Sequence, residues 1–183
     1  MIVIKLGGSL VKANTLQHCL CRITEQYQGR AVVLVVGGGD FAEQVRIAQQ
    51  QWQFDDYTAH AMALLAMQQM AWLVKGLQPD FVIADSVHAI QQHCGQHIVI
   101  WSPDLHELDK ADIPASWNIT SDSLAAWLAN ALLADELILI KSAVINPQLS
   151  LAQLAEHGII DQAFCDYVAN ASFAIRIVNQ QSF

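Results

Sequence analysis

The chain has few positively charged residues: lysine and arginine number 9, against 17 aspartates and glutamates, and the net charge of the 183 residues is −8. This balance argues against a sequence-independent attraction to nucleic acid or to an anionic membrane, because both require clustered positive charge. We therefore expect no nucleic-acid partner. Any anionic ligand has to be held by backbone amides and a few well-placed cations.

The chain also lacks the cysteine pattern of a metal site and the apolar runs of a membrane segment. Its cysteines have no paired spacing, which favours free thiols in a reducing cytosol. The apolar start at residues 1–6 is interrupted by a lysine and followed by glycines, unlike a signal peptide, and no uninterrupted apolar run reaches spanning length. We expect a cytoplasmic protein with no membrane partner.

Short runs rich in valine and isoleucine recur along the chain and alternate with helical patterns. Continuous apolar runs of this length are typical of buried strands. The alternation of strands and helices predicts a mainly parallel sheet that helices cover on both faces, in a single domain. The predicted strands are residues 2–6, 31–36, 81–84, 98–101, 137–140 and 174–178.

Small polar residues and glycines predict where the helices begin and end. A polar side chain before an apolar-periodic run can cap free amides, and glycine commonly follows the last turn. Residues 102–120 form the longest predicted irregular segment and are a candidate active-site loop. The predicted helix starts are Asn14, Ser86, Ser123 and Ser150, and the predicted stops are Gly29, Gly76 and Gly158.

The first predicted strand contains Lys5 and ends in Gly7, Gly8 and Ser9. Glycines at the carboxyl end of a strand let backbone amides approach an anion, and ligands of such sheets lie beyond these ends. A lysine within a buried strand is costly unless it is paired. An alternative is equally consistent with this motif alone: Lys5 lies on an edge strand, and the glycines only turn the chain.

A second glycine cluster, Gly37, Gly38 and Gly39, follows the next strand and opens a helix. Because a helix N-terminus carries free amides and a partial positive charge, this cluster is another candidate anion site. Together with Ala42 it also fits a dinucleotide-binding fingerprint. However, the acidic pair at residues 55–56 lies between two helices rather than after a strand, which weakens that interpretation.

A polar cluster at residues 117–123 runs into an alanine-rich helix, and a later strand ends in Lys141 and Ser142. Within the cluster, Asp122 is either a helix cap or a carboxylate that orients catalytic lysines or helps to hold magnesium. The sequence alone leaves both interpretations open.

Other residues give weaker signals. Arg46 and His60 follow the triple glycine on elements expected to line an acceptor pocket, although both also fit an ordinary helix surface. His93, Cys94 and His97 have the spacing of metal ligands, but Gly95 interrupts any helix between them, which favours surface residues. The five tryptophans are more typical of a core or a subunit interface than of a cofactor site.

Four motifs, taken in order, resemble the amino acid kinase family, which includes acetylglutamate, aspartate and uridylate kinases. They are KLGGSL at residues 5–10, VVGGG at 35–39, TSDSLAAWLA at 120–129 and LILIKS at 137–142. Residues 41–73 are more closely similar to the small kinases that phosphorylate (5-(aminomethyl)furan-3-yl)methyl phosphate in methanofuran biosynthesis. The matches extend to the GIID at residues 158–161.

The resemblance implies a three-layer α/β/α sandwich. Residues 1–117 would bind the acceptor, and a shortened lobe of residues 118–183 would bind ATP, with Mg²⁺ carried on its phosphates. Lys5 would bridge the donor and acceptor phosphates, and Asp122 would organise the lysines. Lys141 would supply the charge that larger relatives place on a lysine after a late glycine-rich segment.

The resemblance also implies ligand contacts for the residues around this centre. The implied phosphate-binding residues are Gly7, Gly8, Ser9, Gly37, Gly38 and Gly39. The implied acceptor-binding residues are Arg46, His60, Thr120 and Ser121, and the implied nucleotide-binding residues are Lys141, Ser142 and Asp161.

The first functional hypothesis is therefore an ATP-dependent kinase that converts the furan monophosphate to its diphosphate. Uridylate kinase and carboxylate kinase are alternatives within the family, and a nucleotide-binding or anion-storage module without catalysis is an alternative of another class. The predicted long helix at residues 58–76 carries apolar side chains around much of its circumference. This pattern predicts a homodimer or a larger homo-oligomer, which light scattering can test.

Overall fold

The structure, a computed structural model, describes residues 1–11 and 15–183. Its strands are β1 Ile2–Leu6, β2 Val32–Val36, β3 Val82–Ala84, β4 Val99–Trp101, β5 Glu136–Lys141 and β6 Ala174–Asn179. They form one sheet in the order β3-β4-β2-β1-β5-β6, and every pair is parallel. All six predicted strands are confirmed, with ends within one residue of the prediction.

The described residues between these strands form eight α-helices and one short 3-10 helix, Gly8–Leu10. The α-helices are α1 Leu16–Gln26, α2 Gly39–Trp52, α3 Asp56–Leu77, α4 Val87–His93, α5 Leu105–Lys110, α6 Ser121–Ala131, α7 Leu151–Glu156 and α8 Phe164–Val168. The helix predicted to open at the triple glycine and the long helix predicted at residues 58–76 are both present, as α2 and α3.

Helices cover both faces of the sheet. Ile2 and Ile4 of β1 pack in a core cluster with α1, whereas Val3 packs in a second cluster with α6. Because successive strand residues point to opposite faces, these are the two faces of one strand. The predicted three-layer α/β fold is confirmed.

Strand β1 pairs with β2 on one side and β5 on the other, so the edge-strand interpretation of Lys5 is wrong.

Two of the four predicted helix starts are side-chain caps. Ser86 accepts a hydrogen bond at the start of α4, and Ser150 forms a reciprocal capping box at the start of α7. The prediction for Ser123 was wrong, because α6 begins at Ser121 and Ser123 lies within its first turn. Asn14 lies outside the described residues.

Two of the three predicted glycine stops follow a helix. Gly29 and Gly158 come after α1 and α7 with φ values of +76° and +66°, a backbone conformation that favours glycine. Gly76 does not stop its helix, because α3 continues to Leu77.

The segment predicted to be irregular, residues 102–120, contains helix α5. The Asp104 side chain caps this helix by accepting a hydrogen bond from the Glu107 amide at 3.0 Å, and Leu108 is fully buried beneath it. A helix of six residues is too short for an apolar period to be recognised in the sequence.

Helix α3 leaves large apolar side chains on the surface. Leu65 and Trp72 are 55% and 66% exposed, and a spacing of seven residues puts them on one side of the helix. The homo-oligomer stays a prediction, and this exposed face motivates it.

No described helix is both long enough and apolar enough to cross a membrane.

Candidate active site

Two lysines and one aspartate form a buried ion-pair triad at the carboxyl ends of β1 and β5. Lys5 Nζ lies 2.7 Å from Asp122 Oδ1, and Lys141 Nζ lies 2.5 Å from Asp122 Oδ2. Lys5 and Asp122 are only 4% and 3% exposed. Each carboxylate oxygen therefore binds one ammonium group, and the two cations are held side by side. The structure thus brings together the three residues predicted to be catalytic.

The strand pattern explains why both lysines reach the same carboxylate. Lys5 lies two residues after Val3 in β1, and Lys141 lies two residues after Leu139 in β5, so each lysine points to the same face as that apolar residue. Val3 and Leu139 pack on the face that α6 covers. Lys5 pairs in register with Leu139, so Lys141 lies two residues further along the adjacent strand. Asp122, in the first turn of α6, faces both lysines.

Both Asp122 and Lys141 have a lowered pKa, which favours the charged form of the carboxylate and the neutral form of the ammonium group. Burial raises the pKa of an aspartate, but the charges and hydrogen bonds of Lys5 and Lys141 outweigh burial and hold the pKa of Asp122 below its usual 3.8. Burial and the neighbouring charge of Lys5 lower the pKa of Lys141 to about 8, against the opposing charges of Asp122 and Asp161. Lys141 therefore titrates close to neutral pH.

The first turn of α6 is capped by a distant residue. The N-cap residue, Thr120, makes no capping hydrogen bond with its own side chain. Instead, the Asp161 carboxylate accepts four hydrogen bonds. Two come from the amide and the hydroxyl of Thr120, both at 2.9 Å. The other two come from the amide of Ser123, at 3.0 Å, and from the Ser123 hydroxyl. The interpretation of Asp122 as the cap is therefore wrong. Because four donors occupy the Asp161 carboxylate, direct nucleotide binding by Asp161 does not fit this geometry.

The two glycine loops pack backbone against backbone. A Cβ added at Gly8 would lie 2.4 Å from the Gly39 nitrogen, and one at Gly37 would lie 3.0 Å from the Gly8 nitrogen. A Cβ at Gly38 would lie 2.6 Å from the Cβ of Ala42. Side chains at Gly8 or Gly37 would separate the loops, so glycine is required there for the close approach of the β1 and β2 ends, whereas a side chain at Gly38 would crowd Ala42 of α2.

Not all glycine amides are available to an anion. Gly7 and Gly37 donate their N–H groups to Ile140 O and Leu6 O, both at 3.0 Å, and so extend the sheet. The predicted amide donation by these two glycines to a phosphoryl group does not fit this geometry. Gly8 and Gly39 begin helices, where the first amides have no partner within the helix. These amides, with that of Ser9, are better placed for phosphate.

Two cavities, each of about 310 Å³, meet at Gly8 and Ser9. The first also contains Gly37, Gly38, Gly39 and all four predicted acceptor-binding residues: Arg46, His60, Thr120 and Ser121. The second contains Lys5, Lys141, Ser142 and the loop at residues 157–159. A small molecule in each cavity would therefore approach the other at the glycine loop, beside the lysines.

The first cavity holds a preoriented arginine and a buried histidine. The Arg46 guanidinium lies 4.2 Å from the ring centroid of Trp117, whose Nε1 donates to Gln49 Oε1 at 2.6 Å. His60 Nε2 is buried without a hydrogen-bond partner among the described residues, and burial lowers the pKa of His60. A neutral imidazole and a fixed cation thus face the same space.

Hydrogen bonds tie the ends of the strands together around the second cavity. The hydroxyls of Ser9 and Ser142 lie 2.7 Å apart, and Asn179 Nδ2 donates to Ser142 O at 3.1 Å. These contacts connect the carboxyl ends of β1, β5 and β6. Ser142 lines the second cavity together with Lys141, and its role in nucleotide binding stays a prediction.

Sequence reasoning missed Trp117 and Asn179 as parts of this region. Trp117 stood at the start of the polar cluster that contains Asp122, so its position was a usable signal, but its type suggested a core residue. Asn179 gave no signal.

Among the described residues, no group of three or more His, Cys, Asp or Glu side chains is arranged to hold a metal, and His93, Cys94 and His97 form no such site.

Residues 1–143 match the model of the amino acid kinase family. The chain belongs to this family. Family membership supports a kinase, which implies ATP as phosphoryl donor, typically with Mg²⁺. No curated protein matches the chain in sequence.

Solved structures of family members share the fold at low sequence identity. Uridylate kinase from Archaeoglobus fulgidus is 16% identical with a TM-score of 0.72, and the match covers 99% of this chain and 92% of that one. UMP kinase from Bacillus anthracis is 16% identical with a TM-score of 0.70, covering 98% and 87%. Aspartate kinase from Synechocystis is 17% identical with a TM-score of 0.74, covering 99% and 38%. At these identities the likeness establishes the amino acid kinase fold.

Proposed function

We propose that the chain transfers the γ-phosphoryl group of ATP to a small acceptor that carries a phosphate. The observation that supports this most directly is the pair of lysines that Asp122 holds in the second cavity, which meets the first cavity at Gly8 and Ser9. Phosphoryl transfer needs little covalent chemistry from a protein, and its rate depends on positioned positive charge around the transferring oxygens. Two fixed ammonium groups beside free helix amides meet that requirement.

In this proposal the second cavity binds the donor phosphates and the first binds the acceptor. Lys5, Lys141 and Ser142 contact the donor, and Arg46 contacts the acceptor phosphate. A Mg²⁺ ion bound to the donor phosphates would neutralise part of their charge. The division into an acceptor lobe at residues 1–117 and a donor lobe at 118–183 stays a proposal, and each cavity draws residues from both ranges.

The charges of the first cavity favour an acceptor that bears both a phosphate and an amine. Arg46 offers a bidentate anion site. Asp40, Glu43 and Asp56 also line the cavity, and carboxylates of this kind suit a cationic amine. (5-(Aminomethyl)furan-3-yl)methyl phosphate has both groups and a flat ring, and we propose it as the acceptor. UMP is the second candidate, because the similar structures include uridylate and UMP kinases.

A side-by-side turnover assay tests the acceptor. The chain is incubated with Mg-ATP and either the aminomethylfuran phosphate, UMP or a carboxylate such as aspartate, and ADP release and product are measured. Turnover with the furan phosphate well above the other two supports the proposal, and preference for UMP replaces it with uridylate kinase. Tight Mg-ATP binding without turnover on any acceptor would favour a non-catalytic binding module.

Replacing Arg46 by alanine is expected to raise the acceptor KM about 10- to 100-fold, because a hydrogen-bonded contact to a charged group contributes about 1.5–3 kcal/mol. The donor KM should change little, since Arg46 lines only the first cavity. Arg22→Ala is the matched control, because Arg22 also lies over an aromatic ring, that of Phe183, but outside both cavities. Equal effects of the two substitutions would contradict the assignment of Arg46.

The value of kcat/KM is expected to fall as pH rises through about 8, where Lys141 loses its charge in the free enzyme. Above that pH one of the two cations is neutral, so transition-state charge is less well stabilised. Arginine stays protonated throughout this range, so Lys141→Arg should remove the alkaline decline even if its maximal rate is lower. An identical decline in the Lys141→Arg variant would show that another group causes it.

A further inference from the structure

Asp161 makes a contact that its place in the sequence does not suggest. It lies after α7, in the segment that continues from the second cavity at residues 157–159. Its Oδ2 accepts from the Thr120 amide, the Thr120 hydroxyl and the Ser123 amide, and its Oδ1 accepts from the Ser123 hydroxyl. These four hydrogen bonds join the donor-site segment to the start of α6.

This contact differs from the caps of other helices in the chain. Asp55, Ser86, Asp104 and Ser150 each accept from an amide three residues ahead, within the same helix start. The cap of α6 instead comes from 38 to 41 residues downstream. The cap position already holds Thr120, a residue type whose hydroxyl can accept from the Ser123 amide as a local cap, so a remote carboxylate is not needed merely to begin the helix.

The hydrogen bonds of Asp161 bracket the triad. Thr120 and Ser123, which it holds, lie on either side of Asp122 in the first turn of α6. A shift of this turn would move the Asp122 carboxylate relative to Lys5 and Lys141, which it binds at 2.7 and 2.5 Å. Ser123 is fully buried, so the bonded turn has little freedom to move.

The charge of Asp161 also acts on the triad. It favours the protonated form of Lys141, in the same direction as Asp122 and against the effect of Lys5 and of burial. The other titratable residues described around the second cavity are Lys5 and His157. Removing the Asp161 charge should therefore lower the pKa of Lys141.

We propose that Asp161 is a positioning residue of the transfer site, which fixes the first turn of α6 so that Asp122 lies between Lys5 and Lys141. The inference rests on the proposed function, in which this lysine pair stabilises the transferring phosphoryl group. It assigns to Asp161 an action through Asp122 rather than contact with the nucleotide.

The test compares Asp161→Asn with Asp104→Asn, which removes the charge from an ordinary cap on α5, away from both cavities. Asparagine keeps the size of aspartate but has one acceptor oxygen where Asp161 uses two. Because small misplacement of catalytic groups is costly, Asp161→Asn should lower kcat about 10- to 100-fold while the KM values for ATP and acceptor change less than about threefold. Asp104→Asn should lower the melting temperature slightly and leave kcat within about twofold.

Two further measurements separate positioning from general stability. The alkaline decline of kcat/KM should move to lower pH in Asp161→Asn and stay in place in Asp104→Asn. Ser123→Ala, which removes only one of the four hydrogen bonds, serves as a milder variant if Asp161→Asn does not fold. It should lower kcat by a smaller factor, again without a matching rise in KM.

An Asp161→Asn protein with wild-type kcat and an unmoved alkaline limb would overturn the inference, and so would a variant whose only change is a higher KM for ATP. If the wild-type chain transfers no phosphoryl group, the proposed function fails but the positioning can still be measured. NMR titration of the Lys141 side chain, assigned with Lys141→Arg, then decides. A lower pKa in Asp161→Asn supports the coupling, and an unchanged pKa overturns it.

Discussion

Replacing Lys5 by alanine is expected to lower kcat about 100- to 1000-fold at saturating Mg-ATP, by analogy with the loss of one preorganised donor from an oxyanion site. Lys5 lines the second cavity and is fixed by Asp122, so it needs no reorganisation to stabilise charge in the transition state. The acceptor and donor KM values should change less than kcat, because the lost interaction is strongest in the transition state.

The control is Lys75→Ala. Lys75 also has a fixed ammonium group, which donates to Pro79 O and Phe81 O at 2.5 and 2.6 Å, but it lines neither cavity. Rates and melting temperatures are measured for both variants. If Lys5→Ala keeps wild-type turnover, or loses no more than Lys75→Ala, the proposed mechanism is wrong, whatever the fold.

The structure changes what to expect of the stability of this variant. On the edge-strand interpretation, Lys5 would be a surface residue whose loss barely alters stability. In the structure it is 4% exposed in an interior strand. Alanine there leaves Asp122 paired with Lys141 but removes buried packing. We therefore expect a measurable fall in melting temperature, smaller than that of a variant that removes the shared carboxylate.

The strands were predictable because each is a short run rich in valine, isoleucine or leucine, which a charged residue interrupts only at Lys5 in β1 and Arg176 in β6. Val32–Val36 is buried at every position, since it lies in the interior of a sheet that helices cover on both sides. Such runs stand out from helices, whose apolar residues recur every three or four positions. The positions of the glycine loops followed directly, because each begins where a run ends.

What the sequence could not provide were contacts between distant segments. Whether Lys5 lay in an interior or an edge strand depended on strand order, which no single strand encodes. Asp122 had the same local pattern as a helix cap, and only the approach of β1 and β5 shows that it pairs with lysines. Asp161 caps α6 from 41 residues away, and a local pattern cannot predict such a contact.

The residues of the site were nevertheless found by type and place. Lysines at the ends of two strands are unusual in a buried sheet. Every second residue of a strand lies on the same face of the sheet. Lys5 therefore lies on the same face as Val3, and Lys141 lies on the same face as Leu139. Both apolar residues pack beneath α6. Once β1 and β5 are known to be adjacent and parallel, both lysines are expected on the same face of the sheet. An acidic residue at the start of α6, which covers that face, is then expected to lie close to them.

Replacing Asp122 by asparagine is expected to damage both stability and turnover. Breaking a buried ion pair by removing one partner typically costs about 3–5 kcal/mol, because the remaining charges are left buried without compensation. Here the substitution leaves two neighbouring lysines, and the pKa of Lys141, already about 8, should fall further. Turnover should decrease because one cation is then neutral and neither is oriented. Denaturant unfolding and initial rates at pH 7 measure both effects.

The dependence of this loss on pH identifies its cause. Asp122 has a pKa below its usual 3.8 in the folded chain, so its charge stabilises the fold above that pH, and this stabilisation is lost as pH falls through the folded value. The difference in unfolding free energy between wild type and Asp122→Asn should therefore be large at neutral pH and shrink in acid. Asp55→Asn, which alters an exposed cap on α3, is the control and should change the unfolding free energy little, because asparagine caps helices about as well as aspartate. If Asp122→Asn is as mild as this control and keeps near-normal rates, Asp122 neither holds the lysines in place nor supports transfer.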